Sequence, residues 1–415
     1  MKRRSLVALC LIAVSIAAIA AVSTSAKAAG GSITVWLQVD AQTGWPDLVA
    51  AANQQFQSDH PGYTVNVQYQ NWGDHLQKFD AALAGGGGPD VIEMGNTEMT
   101  KYMAAGAFAD LTSFKGTFAN SSNWLSGLAK SGAYNGKTYG VPYYAGSRVV
   151  TYRTDLFKKD GIKSLPNSIA AFTADAKTLA AKNPKKGFSP FYVAGEDWYS
   201  AMGFVFDYGG GIAARVSGQW KGLLDSPKSI AGLTAYKNFF MAASKAGKTA
   251  IEGAPDPNPY DVYGQGLAAS MIGPSWFSCC VGAKYKGVTG QFVMPGHVKG
   301  TSMPGFLGGS DLAVPVTSGN KALAADWIKD FTSTQSEKGL QAKGNIPNAT
   351  SLLGNSVNER AASRSWFVPT AKHWVDVENG NILRNMLGQI LTGKLTVKQA
   401  AQSASDNIAS VLNEP

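Results

Sequence analysis

The chain has 415 residues, 45% of them hydrophobic, with 10 Trp, 15 Tyr and 18 Phe. That excludes a disordered or fibrous protein, because so much apolar side chain has to be buried, and the length predicts about two to three domains. Its 37 basic and 28 acidic residues give a net charge of +9, which points to nucleic acid only if the charge is gathered in one place.

In chain order the charge is soon located. Lys2, Arg3 and Arg4 precede an apolar run over 6–22, and Ala26-Lys27-Ala28 forms an A-x-A cleavage signal. An uncleaved anchor is the alternative, but the run falls just short of the ~18 residues a span requires. Cys10 lies inside the run rather than after it, which argues against a lipid anchor. Removing 1–28 takes away four basic residues and no acids, so 33 basic residues remain against 28 acidic, a net +5. No block of five basic residues follows, and nucleic acid loses its support.

Beyond the leader, 33–37 reads as a buried parallel strand, and Pro46 opens a helix carrying Leu48, Val49, Ala52 and Phe56. Alternation of Val65, Val67 and Tyr69 predicts a second strand. Leu76, Phe79 and Leu83 predict a helix that ends at the glycines 85–88, and 89–94 reads as a third strand. Strands alternating with helices indicate an α/β sheet, whose sites lie beyond the carboxyl ends of strands, here 38–44 and 95–98. Further helices are predicted over 168–181, 230–243, 321–331 and 397–412.

Several motifs fail on inspection. Both G-K-T tripeptides, at 136–138 and 247–249, lack the P-loop's first glycine, since Ser131 and Ala242 occupy that place. Asp90 follows the glycines of 85–88 and would repel phosphate. Gly308-Gly309-Ser310-Asp311 continues into Leu312, not the glycine of a nucleophile elbow. The four histidines are scattered, and the adjacent Cys279 and Cys280 are either buried thiols or a strained ring. Glu196-Asp197 is a poor glycosidase pair, because neighbours on one chain rarely straddle a bond at the ~5–9 Å required. No catalytic, metal or cofactor set emerges.

The chain nonetheless resembles a known family. Leu83-Ala84-Gly85-Gly86 through Pro89-Asp90-Val91, then Asn135-Gly136-Lys137-Thr138-Tyr139-Gly140-Val141-Pro142-Tyr143, are similar to motifs of family 1 extracellular solute-binding proteins, the substrate-capturing subunits of carbohydrate ABC importers. Tyr152-Arg153-Thr154-Asp155-Leu156-Phe157, Gly273-Pro274-Ser275-Trp276 and Leu307-Gly308-Gly309-Ser310 follow in the family's order, and the resemblance spans nearly the whole chain after the leader.

The resemblance implies a two-lobed periplasmic-binding-protein fold, each lobe a mainly parallel sheet flanked by helices, with the ligand between lobes. Lobe one would hold 29–143 and 308–346, lobe two 144–307 and 347–415, and 1–28 would be a signal peptide. The ligand would be a carbohydrate and the partner a membrane permease, with no nucleic acid. The chain would be an exported monomer without a lipid anchor, and not an enzyme. A pyranose offers flat C–H faces to aromatic rings and a rim of hydroxyls to carboxylates and amides. On that basis, and by the resemblance, Trp276 is the first stacking platform, and the segment Glu196, Asp197, Trp198 and Tyr199, with two acids and two rings, supplies the second lobe. Asp40, Asn96 and Glu98 lie in loops after strands. Tyr144, Arg148, Gly309, Ser310 and Asp311 flank the crossings, while Trp366 and Arg384 follow from the resemblance alone. Two rivals are weighed: a metal or iron carrier of the same fold using Tyr143-Tyr144, and a secreted carbohydrate-active enzyme.

Overall fold

The computed structural model describes residues 30–251, 259–275 and 283–414. Residues 1–28, read above as a signal peptide, and Trp276, Cys279 and Cys280 lie outside them.

Two separate cores organise the chain. One gathers Ile33, Val35, Phe56, Tyr143, Leu312, Trp327 and Phe331; the other gathers Phe172, Phe204, Tyr236, Trp366, Trp374, Leu387 and Ile408. Around the first core lies a five-stranded sheet of order β2-β1-β3-β9-β4, where β1 is Ser32–Gln38, β2 Thr64–Gln70, β3 Val91–Gly95, β4 Gly140–Gly146 and β9 Gly308–Ala313. The first two crossovers are the helices Pro46–Asp59 and His75–Ala84, as the periodicity predicts. Pro46 sits at the start of its helix, where its missing N–H costs nothing.

The second sheet has the order β6-β5-β7, with β5 Arg148–Arg153, β6 Ser270–Pro274 and β7 Thr289–Phe292. The expectation of mainly parallel sheets is corrected here, because β5 pairs antiparallel with both neighbours. In the first sheet β1 pairs parallel with β2 and β3, while β9 is antiparallel to β3 and β4. The cause is the same in both sheets. The reversed strand, β5 or β9, is the one by which the chain enters from the crossing, so it runs away from the crossing while its neighbours run towards it.

The crossings are tied together. Ala145 and Ile346 exchange both backbone hydrogen bonds, at 2.9 and 2.7 Å, and a short parallel pair joins β8 (Gly305–Phe306) to β10 (Ser365–Trp366). At Gly309 a Cβ would meet the Tyr144 carbonyl oxygen at 2.1 Å, so this close approach of two backbones requires glycine. Ala349 and Leu352 pack with the first core, beyond the boundary drawn at 346.

Candidate functional site

Where the two sheets meet, loops from both enclose a cleft of ≈ 340 Å³. That lies within the ~300–1,000 Å³ typical of small-molecule sites. Asp40, Trp45, Trp72, Asn96, Thr97, Glu98 and Tyr144 line it on the first side. Arg148, Tyr199 and Phe306 face them from the second, with Gly146, Ser147, Gly308, Gly309 and Asn345 at the crossings.

The first wall is built at the carboxyl ends of β1, β2 and β3. Trp72 Nε1 donates to Asp40 Oδ2 at 2.5 Å, which orients the indole and uses one oxygen of the carboxylate. Glu98 Oε2 accepts from the Gly95 backbone N–H at 2.8 Å and faces His75 Nε2 at 2.9 Å. Asn96 is buried and its amide donates to the Leu307 carbonyl at 2.9 Å, fastening this loop to a crossing. Below the wall Glu93 is fully buried, and Gln38 donates its backbone N–H to Oε2 at 2.8 Å. Burial pushes this carboxyl up to about 7, against the Gln38 N–H and the hydroxyls of Ser310 and Tyr143.

The second wall depends on the helix Trp198–Asp207. Asp197 caps it, accepting from the Ser200 N–H at 3.1 Å and the Ser200 hydroxyl at 2.5 Å. Arg148 Nη1 also donates to Asp197, at 3.3 Å, and its guanidinium lies over the Tyr199 ring, 5.0 Å from the centroid. Tyr199 in turn stacks on Trp198 at 3.9 Å and meets Phe306 at 4.7 Å. An aromatic floor is thus held beside a cation whose charge a buried carboxylate balances.

The cleft takes in Asp40, Asn96, Glu98, Tyr144, Arg148 and Gly309 among the residues singled out from sequence. Others are placed elsewhere. Asp197 acts from behind, through Arg148 and the helix start. Trp198 faces the second core because successive helix positions turn by ~100°, so of two adjacent rings only Tyr199 is presented to the cleft. Ser310 and Asp311 are buried on opposite sides of a register shift in β9, and neither lines the cleft. Trp366 is a core side chain, stacked on Phe206 at 4.9 Å and against Phe306 at 5.0 Å. Glu196 lies against Gly388, and Arg384 Nη1 donates to Asn381 at 3.1 Å; both are off the cleft. Trp276 lies outside the described residues.

Tyr199, from the segment singled out for the second lobe, lines the cleft, whereas Trp45, Trp72 and Phe306 are cleft aromatics that the sequence did not point to. Trp72 follows β2, so the strand-end rule that selected Asp40 and Glu98 reaches it as well. Of Tyr143 and Tyr144 only Tyr144 lines the cleft; Tyr143 is fully buried in the first core. Among the described residues no cluster of three His, Cys, Asp or Glu side chains is placed to hold a metal ion.

Residues 38–338, most of the chain and both walls of the cleft, match the family model described as "Bacterial extracellular solute-binding protein". The chain belongs to that family. Among curated relatives of this solute-binding protein is the diacetylchitobiose binding protein DasA of Streptomyces coelicolor, 32% identical over 386 residues, covering 90% of this chain and 88% of the relative. Two solved structures are similar in fold. The GacH receptor of Streptomyces glaucescens aligns with a TM-score of 0.75 at 20% identity, over 93% of this chain and 99% of its own. The sugar-binding protein MalE from Xanthomonas citri aligns at 0.77 and 19% identity, over 92% and 97%. The two-lobed α/β fold follows, and the two cores are its lobes. Among the described residues no helix is long and apolar enough to cross a membrane.

Proposed function

We propose that this solute-binding protein captures a sugar or short oligosaccharide outside the membrane and delivers it to the permease of an ABC importer. The observation that carries the reading is the composition of the cleft. Indole and phenol rings (Trp45, Trp72, Tyr144, Tyr199) alternate with side chains able to grip hydroxyls (Asp40, Glu98, Asn345). Rings match the C–H faces of a pyranose by burial and dispersion, and carboxylates and carboxamides match its hydroxyl rim.

Ligand contacts from both walls favour the closed arrangement, because only that arrangement offers both. The proposed binding residues are Asp40, Asn96, Glu98, Tyr144, Arg148 and Gly309, joined by Trp45, Trp72, Tyr199 and Phe306, with Trp276 kept as a further platform. Residues 1–28 are proposed to be a cleaved signal peptide without a lipid anchor, and the product a periplasmic or extracellular monomer that binds no nucleic acid and turns nothing over. The two cores support lobes divided near 144 and 307, and the Ala145–Ile346 pair supports a third crossing near 346.

Thermal unfolding across a panel of mono- and oligosaccharides tests the reading. N,N′-diacetylchitobiose comes first, since the relative at 32% identity is a diacetylchitobiose binding protein. A ligand of the native state raises the melting temperature by mass action, by about 2.7 kcal/mol of stability at a hundredfold excess over Kd. A shift with a metal ion and with no sugar would overturn the proposal, as would release of sugar products by the protein.

A further inference from the structure

His75 opens the helix His75–Ala84 and is buried behind the first wall of the cleft. Both of its ring nitrogens face oxygens. Nδ1 lies 3.0 Å from the Trp72 carbonyl oxygen, and Nε2 lies 2.9 Å from Glu98 Oε2. A carbonyl oxygen and an ionised carboxylate offer lone pairs only, whereas a neutral imidazole carries a single N–H. A neutral ring beside an ionised Glu98 would therefore set a lone pair against a lone pair at one of the two contacts. Only the imidazolium satisfies both.

We propose that His75 is a positioning residue of the ligand site: as a doubly protonated imidazolium it clamps the Trp72 loop and the Glu98 carboxylate into one wall, and ligand affinity falls as that proton is lost with rising pH. This rests on the reading of Trp72 and Glu98 as ligand contacts.

The surroundings favour the cation. Glu98 faces the ring from the loop before the helix Met99–Ala104, and Glu93 lies close enough on β3 to add its charge. Asp40 reaches the ring through Trp72, whose indole stands 5.2 Å from it at 84°. From the other lobe the carboxyl of Glu378, in the helix Trp374–Asn379, lies close enough to feel the charge of Glu98. Beside His75 on its own helix Asp74 is matched by Lys78 at 3.0 Å, and nearby Asp80 by Lys101 at 3.3 Å. Burial alone would push the imidazole down, but the bond to Glu98, the charges of Glu98 and Glu93 and the Trp72 carbonyl outweigh it and hold it above the ordinary histidine value. With a raised folded value, the clamp is complete below the ordinary pKa of about 6.5 and is lost as pH climbs through the folded one.

Two measurements test the clamp. In long-range 1H–15N spectra, one of the four histidines, identified by its absence in His75→Gln, should show both ring nitrogens protonated at about pH 7 and titrate above an ordinary histidine. Calorimetry with N,N′-diacetylchitobiose between about pH 6 and pH 9 should show affinity falling roughly tenfold on that same limb, the equivalent of one charge-assisted hydrogen bond. The His75→Gln variant should give a flat profile. A single-N–H tautomer near neutral pH overturns the proposal, and so does an affinity that stays constant while His75 titrates. If the sugar does not bind at all, the ligand reading fails separately, and the ring protonation still decides the clamp.

Discussion

Trp72 Nε1 donates to Asp40 Oδ2 across 2.5 Å, joining the loop after β2 to the short helix Val39–Gly44 that follows β1, rather than the loop expected there, on one wall of the cleft. The indole remains 39% exposed, which is unusual for so large an apolar side chain and leaves its face available to a ligand. Its neighbour Trp45 is buried, with an indole N–H that meets no acceptor among the described residues.

Because Trp72 contributes little to the core, Trp72→Ala is expected to weaken sugar binding by about 1.5–3 kcal/mol, roughly 10- to 100-fold in Kd. The melting temperature should stay nearly unchanged. Calorimetry with N,N′-diacetylchitobiose alongside a thermal scan separates the two effects, and a full-affinity variant would remove Trp72 from the site.

Asp197 does two things at once, capping the helix Trp198–Asp207 and balancing Arg148. Asp197→Asn keeps a capping side chain but removes the charge, so stability should fall little through the cap. Arg148 then loses its buried carboxylate, and binding should weaken. Asp197→Ala removes both and is expected to cost about 3–5 kcal/mol of stability, read as a lower denaturation midpoint.

Trp366 belongs to the second core, and its replacement should be felt there. Trp366→Ala is expected to destabilise by about 3–5 kcal/mol. Trp366→Phe, which retains the stack on Phe206, should leave the Kd unchanged; a selective loss of affinity in that variant would return Trp366 to the ligand site.

Asp311 is fully buried, and burial pushes it up to about 7 against the nearby Ser131 hydroxyl, the one group among the described residues that favours its charged form. Between about pH 4, where the unfolded carboxyl titrates, and pH 7 the folded state therefore holds a proton that the unfolded state has released. Stability falls as pH rises through that window. Asp311→Asn should flatten this slope and raise the melting temperature near pH 8 relative to the parent, by a free energy of order 1 kcal/mol or more; equal slopes in chemical denaturation would refute the assignment.

Trp276→Ala tests the remaining platform proposed from sequence. Weaker sugar binding at an unchanged melting temperature supports its place in the cleft, and unaltered affinity removes it.

Local pattern was sufficient for the elements. The helices Pro46–Asp59, Ile169–Lys182, Lys321–Phe331 and Val397–Leu412 and the strands β1 to β3 lie where periodicity and caps place them, since these signals are short-range. The rule that sites gather at strand carboxyl ends led from sequence to Asp40, Asn96 and Glu98, and ordered motifs led to the family. Side-chain direction was not legible. Trp198 and Tyr199 are neighbours of like chemistry, and only the packing of their helix against the second core decides that one is buried and the other presented. Ser310 and Asp311 lose their place in the cleft to a register shift in β9, a property of pairing with a strand more than 160 residues away in sequence. The first reading of the charge ended similarly: four of its basic residues lie in 1–28, and what matters for the cleft is the placement of a few carboxylates beside rings. Sequence by itself determined the elements and the family, because these depend on composition and near neighbours. Which residues share one wall, and which histidine stands behind it, was decided only when distant strands brought their ends together.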